Sequence, residues 1–189
     1  MAMQINTDVA FKEWAIVVDA LGRGEQIFIL RKGGIRETRG QFQVDHRQFW
    51  LFPTRFHEAE DSVIASKRAA LQELAANAPS SEVKIEFLAV ADPVLQLTGL
   101  EQVQRLQGRH IWSEQILRER FDFGRESGMH ALITRVYRLA EPRQFPLVEA
   151  YGGCKSWVQL AQTIEADGLE PVLSDTEFER ERNEILALL

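Results

Sequence analysis

The chain has 189 residues, of which 45% are hydrophobic and 26% charged, and a formal net charge of −6. That is ample apolar material for one globular domain, and the acidic balance excludes a protein that coats nucleic acid indiscriminately. A single cysteine, Cys154, excludes a disulfide framework and a cysteine-rich zinc site and suits a reducing, cytoplasmic setting.

No apolar run reaches the roughly 18 residues of a membrane-spanning helix. The opening residues MAMQINTDVAFKEW lack the basic-then-apolar order of a secretory signal. Two apolar runs follow, EWAIVVDAL from Glu13 and QIFILR from Gln26, split by Gly22-Arg23-Gly24-Glu25. The glycine-containing break predicts a β-hairpin, although WAIVVDAL by itself also admits a helix. Phe49 to Phe52 reads as a short strand stopped by Pro53. Val63, Ile64, Ala70, Leu71 and Leu74 recur at helical spacing and predict a helix from about residue 59 to 77.

Val83 to Val90 alternates, with Val83, Ile85, Phe87 and Ala89 on one predicted face of a strand. Gly99 to Gln107 predicts a short helix, and Ser113 the cap of a second. Ala131 to Leu139 and Lys155 to Leu160 read as strands, and Phe145 to Val148 as a further one. Asp175 is placed as the cap of a last helix, Thr176 to Leu188. The strands and helices do not alternate regularly, so an α+β fold is expected: a small, mainly antiparallel, barrel-like sheet with flanking helices. The expected organisation is one domain over residues 1–164, with 165–189 a linker and a C-terminal helix packed on it or extending from it.

Residues 31–57, RKGGIRETRGQFQVDHRQFWLFPTRFH, hold the strongest functional signal. Six Lys and Arg stand there against Glu37 and Asp45, a local excess of four positive charges in an acidic chain. Two of the four histidines lie in the same segment, with Gly33, Gly34 and the aromatics Phe49, Trp50 and Phe52. Such a patch suits a phosphate-bearing ligand. Arg31, Lys32 and Arg36 are candidate phosphate contacts around Gly33-Gly34, since glycines admit close approach of an anion to backbone N–H groups. A turn needing positive φ explains the same glycines.

A second cluster, Tyr151-Gly152-Gly153-Cys154-Lys155-Ser156-Trp157, offers Lys155 and Ser156 to a phosphate and Trp157 to a base. A tight turn entering a strand explains it equally well. Thr54 and Trp50 complete the candidate ligand set. His46 and His57 are candidate catalytic residues: paired imidazoles can act as acid and base in phosphodiester cleavage, or hold a divalent metal with Glu37, Asp45 or Glu58. Their spacing matches no compact zinc pattern. Glu82-Val83-Lys84 has the Glu-x-Lys form of a restriction nuclease but reads more simply as the wet side of a strand. Cys154 lacks a positioned base for nucleophilic work. Arg118 and Arg120 suit the last turn of the Ser113 helix by its dipole. Arg135, amid apolar neighbours, calls for a carboxylate partner or a ligand.

KEWAIVVDALGRGEQIFILRKGGIRE, VDHRQFWLFPTRFH, RHIWSEQILRERFDF, RVYRL and YGGCKSWVQL, taken in order, resemble the uncharacterised bacterial family named domain of unknown function 1802, over roughly residues 11–160. The resemblance implies no activity. Some members of that family look to be associated with Mrr-like restriction catalytic domains, which points to DNA metabolism or defence by association only. The barrel-like sheet is similar in outline to the PUA/ASCH type, whose members bind RNA or modified bases.

Two functions follow as expectations. The first is a nucleic-acid- or nucleotide-binding module with a basic cleft containing histidines and aromatics. The second is a phosphodiesterase or nuclease using His46 and His57. The acidic C-terminal helix as a protein-docking face is a third, blander reading. Nothing in the sequence names a cofactor, a metal or an oligomeric state.

Overall fold

A computed structural model describes residues 6–32, 36–38, 41–43, 46–55, 60–77, 81–124, 126–153, 155–165 and 168–189. Strand β1 (Asn6–Trp14) leads straight into helix α1 (Ala15–Gly22). Strand β2 (Phe28–Arg31) and a small hairpin of β3 (Arg36–Thr38) and β4 (Gln41–Gln43) follow, then β5 (Gln48–Thr54). Two 3₁₀ turns precede α2 (Arg68–Ala76). The long strand β6 (Glu82–Leu97), helices α3 (Leu100–Arg105) and α4 (Glu114–Asp122), and the long strand β7 (Met129–Pro146) form the middle of the chain. Strands β8 (Trp157–Glu165) and β9 (Glu170–Pro171) and helix α5 (Asp175–Leu188) complete it.

The main sheet runs β2-β7-β6-β5-β1-β8, with β9 added to β7. Every pair is antiparallel except β1 with β5, which is parallel. The fold class is therefore α+β with a mainly antiparallel sheet. The larger core lies on the helix-covered face and includes Phe11, Ile16, Phe28, Phe49, Leu132 and Trp112, with Phe178 and Ile185 of α5. A smaller core occupies the other face: Ala10, Trp50, Ile85, Leu88, Leu139 and Val158, drawn from β1, β5, β6, β7 and β8. No α-helix contributes to it. It is buried because the sheet curls on itself, bringing β7 against β8. That curl is the barrel-like feature.

The predicted hairpin is corrected here. Residues 15–22 are helix, and β2 pairs with β7 at the far end of the sheet from β8. WAIVVDAL is apolar all round, which a buried helix and a central strand share. The glycine turn is a helix cap. Gly24, at φ +70, lets its own N–H reach Leu21 O at 3.1 Å and the Glu25 N–H reach Ala20 O at 2.9 Å, closing a Schellman motif on α1.

Five further expectations also differ. The helix expected over 59–77 begins only at Arg68, because Val63 is extended and bridges Trp112. Pro53 does not stop β5: β6 pairs with that strand only as far as Trp50, so the missing N–H falls where β5 has β1 alone as neighbour. A bulge between Ile85 and Phe87 breaks the predicted alternation. It sends Ile85 and Leu88 to the inner core and Phe87 and Ala89 to the helix side. Phe145 lies within β7 rather than on a strand of its own. Helix α5 is capped by Ser174, not Asp175: Ser174 Oγ accepts the Glu177 N–H at 3.3 Å and Glu177 Oε2 accepts the Ser174 N–H at 3.0 Å. Asp175 instead pairs with Arg135, whose guanidinium also lies 5.0 Å from the Phe178 ring centre. That is the carboxylate partner Arg135 requires.

Candidate nucleic-acid interface

Strand β1 alternates Ala10 and Lys12 toward the inner core with Phe11 and Glu13 toward the helix side, and the second pair founds the site. Trp157, at the start of β8, is opposite Phe11 in the ladder. Its indole meets Phe11 at 4.6 Å, Phe49 at 5.1 Å and His46 at 5.3 Å, all edge to face. Arg31 ends β2 and crosses over this group. Its guanidinium lies 4.8 Å from the Phe11 ring centre, donates to Ser156 Oγ at 2.9 Å, and stands 3.5 Å from Glu13 Oε2. Ser156 O accepts the Lys12 N–H at 2.8 Å, which fixes the entry to β8. Thr54 Oγ1 donates to Glu13 O at 3.2 Å and ties the end of β5 to the same place. Lys155 is exposed beside Ser156.

Arg31, His46, Thr54, Lys155, Ser156 and Trp157 are thus brought into one neighbourhood. Other candidates go elsewhere. Lys32 turns to the end of α4, where Nζ donates to Phe121 O at 2.7 Å and to Glu126 O. It neutralises helix-end carbonyls there. Trp50 is corrected as a base contact: its side chain is 0% exposed in the inner core, with Nε1 donating to Thr7 O at 2.8 Å. Gly33, Gly34 and His57 lie outside the described residues, as does the side chain of Arg36, whose backbone belongs to β3. Among the described residues the His46 ring meets Trp157 and makes no hydrogen bond or ion pair. Nor do three or more His, Cys, Asp or Glu gather there as metal ligands.

Glu13, Trp14, Trp112 and Arg120 are site residues that sequence reasoning missed. Glu13 is only 2% exposed; Oε1 accepts the Trp14 N–H at 2.8 Å and Oε2 faces Arg31. Arg120 lies over two indoles that touch each other, 4.7 Å from the Trp14 ring centre and 4.0 Å from that of Trp112. Burial lowers its pKa, Glu13 acts against this, and Arg31 adds to it. Burial likewise lowers His130, with Lys32 contributing in the same direction. A charged residue inside an apolar run, as Glu13 is in EWAIVVDAL, was the one available signal. Arg120 had none, because the helix dipole already accounts for arginine in that turn.

A cleft of about 520 Å³ opens where β5 and β6 diverge, beyond the Trp50–Leu88 pair. Its walls are mostly apolar and include Val18, Phe52, Pro53, Phe87 and the half-exposed Leu147 and Val148, with Lys12, Thr54 and Arg55 at one end. Thr54 and Lys12 therefore border both the cleft and the Glu13 neighbourhood. Lys12 Nζ donates to Tyr151 O at 2.7 Å and Gly153 O at 2.8 Å, so its charge also holds the glycine-rich turn in place.

The fold and this surface define a small α+β protein with a curled sheet and a cationic, aromatic edge. The family model described as "Domain of unknown function (DUF1802)" matches residues 10–184, and the chain belongs to that family. The match extends past residue 160 into α5, so the C-terminal helix is part of what the family shares. Among solved structures the chain is similar to ASCH from Zymomonas mobilis, at 13% identity and a TM-score of 0.41, covering 93% of each chain. It is similar also to a point mutant of ZmASCH from the same organism, at 14% identity and a TM-score of 0.43, covering 93% of this chain and 96% of that one. No curated protein matches. Among the described residues no helix is long and apolar enough to cross a membrane.

Proposed function

We propose that this chain binds nucleic acid or a nucleotide through the surface built from Arg31, His46, Lys155, Ser156 and Trp157. One observation carries the reading. Arg31, the first residue of the cationic segment, donates to Ser156 in the glycine-rich turn, and His46 near the end of that segment packs on Trp157. Two sequence clusters more than a hundred residues apart therefore share one surface. Trp157 and His46 supply flat rings for a base, and Lys155 with Arg31 supplies positive charge for the backbone. Arg47 and Arg55, exposed cations of the same segment, extend that field in a chain that is otherwise acidic. The lone cysteine and the absence of a long apolar run support a cytoplasmic setting. Phe178 and Ile185, which lie in the larger core, support a C-terminal segment packed on the domain.

The test is fluorescence anisotropy with labelled single-stranded RNA and DNA at several salt concentrations. Binding should weaken steadily with salt. The exposed-site variant Lys155→Ala should weaken it uniformly across sequences and reduce the salt slope by about 1. Salt-independent binding, or affinity unchanged in Lys155→Ala/His46→Ala, defeats the proposal.

A further inference from the structure

Arg120 is an arginine with no acceptor among the described residues: none accepts a hydrogen bond from its guanidinium, and its nitrogens are not sealed from solvent. Arginine in the last turn of α4 is explained by the helix dipole. The dipole does not explain why this side chain folds back onto Trp14 and Trp112 instead of extending into water. The two rings, themselves edge to face at 4.9 Å, form one aromatic surface on which the guanidinium rests.

The nearest carboxylate does not discharge it. Glu13 is committed to the Trp14 N–H and to Arg31, and it forms no direct ion pair with Arg120. Two guanidiniums thus share one buried carboxylate, and the cluster keeps an unbalanced positive charge. Lys32, held on the carbonyls at the end of α4, adds to it. A partly buried guanidinium with no acceptor among the described residues, in a net positive surround, is the arrangement that recognises an oxyanion by a bidentate fork. A carboxylate or a cation gains less here, since a phosphate carries more negative charge and a third acceptor oxygen.

We propose that Arg120, resting on the Trp14–Trp112 pair and seconded by Arg31, is the receptor for a phosphate group of the ligand. This deepens the nucleic-acid reading and rests on it for the source of that phosphate. The flanking tryptophans supply the readout. Wild-type protein is titrated with inorganic phosphate at constant ionic strength, with chloride as the control anion, and tryptophan fluorescence is followed. The same is done for Arg120→Lys, which keeps the charge and the contact with both rings but loses the fork.

Saturable binding by the wild type in the millimolar range, weakened about tenfold or more in Arg120→Lys, is expected. Glu13→Gln removes the competing carboxylate and should tighten phosphate about fivefold, an arm that does not depend on the folding of the Arg120 variant. Equal phosphate affinity in wild type and Arg120→Lys overturns the receptor, as does a chloride response of the same size or no tightening in Glu13→Gln. Labelled oligonucleotides with a 5′-phosphate and with a 5′-hydroxyl separate the two claims. Oligonucleotide binding intact in Arg120→Lys sinks the receptor alone. Phosphate binding without any oligonucleotide binding sinks the nucleic-acid reading alone.

Discussion

Arg31 and Ser156, 125 positions apart, meet at 2.9 Å between Nη2 and Oγ. The bond closes the helix-side edge of the curled sheet, since β2 and β8 lie at opposite ends of the strand order. It is also the point at which the cationic segment and the glycine-rich turn join. Ser156→Ala should cost about 1.5 kcal/mol in urea unfolding, the low end for a hydrogen bond to a charged donor because this one is only partly buried. It should also weaken oligonucleotide binding by a small factor, because Arg31 keeps its partner Glu13 and only loses its tether.

Removing Glu13 is a larger change. Glu13 is nearly fully buried between two cations, so Glu13→Gln should destabilise the fold by about 2 kcal/mol. The loss is smaller than for a sealed ion pair because Arg31 retains access to water. Urea unfolding of the single variant against Glu13→Gln/Arg31→Met checks the cause: the double variant should recover part of the loss.

Acid sensitivity should come from His110. Burial lowers its pKa to about 4, and no hydrogen bond of good geometry reaches either ring nitrogen. A histidine whose folded pKa lies below its unfolded value stabilises the fold above the unfolded value and loses that contribution as pH falls. Between the ordinary value of 6.5 and about 4, stability should drop by about 3 kcal/mol from this residue. His130 shifts in the same direction and adds to the slope. Unfolding free energies across that range should be flatter in His110→Phe than in the wild type. An unchanged slope would remove His110 as the cause.

Gly24 offers a backbone test of the corrected α1. Its φ of +70 closes the Schellman cap, and a Cβ there would meet Leu173 Cδ2 at 2.6 Å. Gly24→Ala should cost about 1–2 kcal/mol, from the left-handed conformation and the contact together. Differential scanning calorimetry reads this directly, and a neutral substitution would contradict the cap.

The parts of the fold legible in the sequence were those with a periodic or capping signal. Ser113 caps α4 with Oγ accepting the Ile116 N–H at 3.4 Å, and the apolar run at Ala131–Leu139 is central β7. The illegible parts share two physical causes. WAIVVDAL is buried on every side, so its period carries no face information, and its closing glycines serve a helix cap as well as a hairpin. Inner-core Trp50 and half-buried Trp157, on the helix side, look alike in sequence because a curled sheet packs aromatics on both faces. The ladder bulge at Ile85 and Phe87 likewise changes which residues share a face without any mark in composition. Arg31, His46, Ser156 and Trp157, singled out by charge and motif, lie together in the fold. Glu13 and Arg120 were not singled out, since their roles come from contacts between distant strands and helices.

The central claim is that Trp157, backed by Phe11 and Phe49 and edged by His46, is the platform for a base. Quenching of tryptophan emission by an unlabelled single-stranded oligonucleotide, compared between wild type and Trp157→Leu, tests it most directly. The account predicts saturable quenching in the wild type and an affinity loss of about 1–3 kcal/mol in Trp157→Leu, with thermal unfolding still cooperative. Equal affinity in the two folded proteins would contradict it.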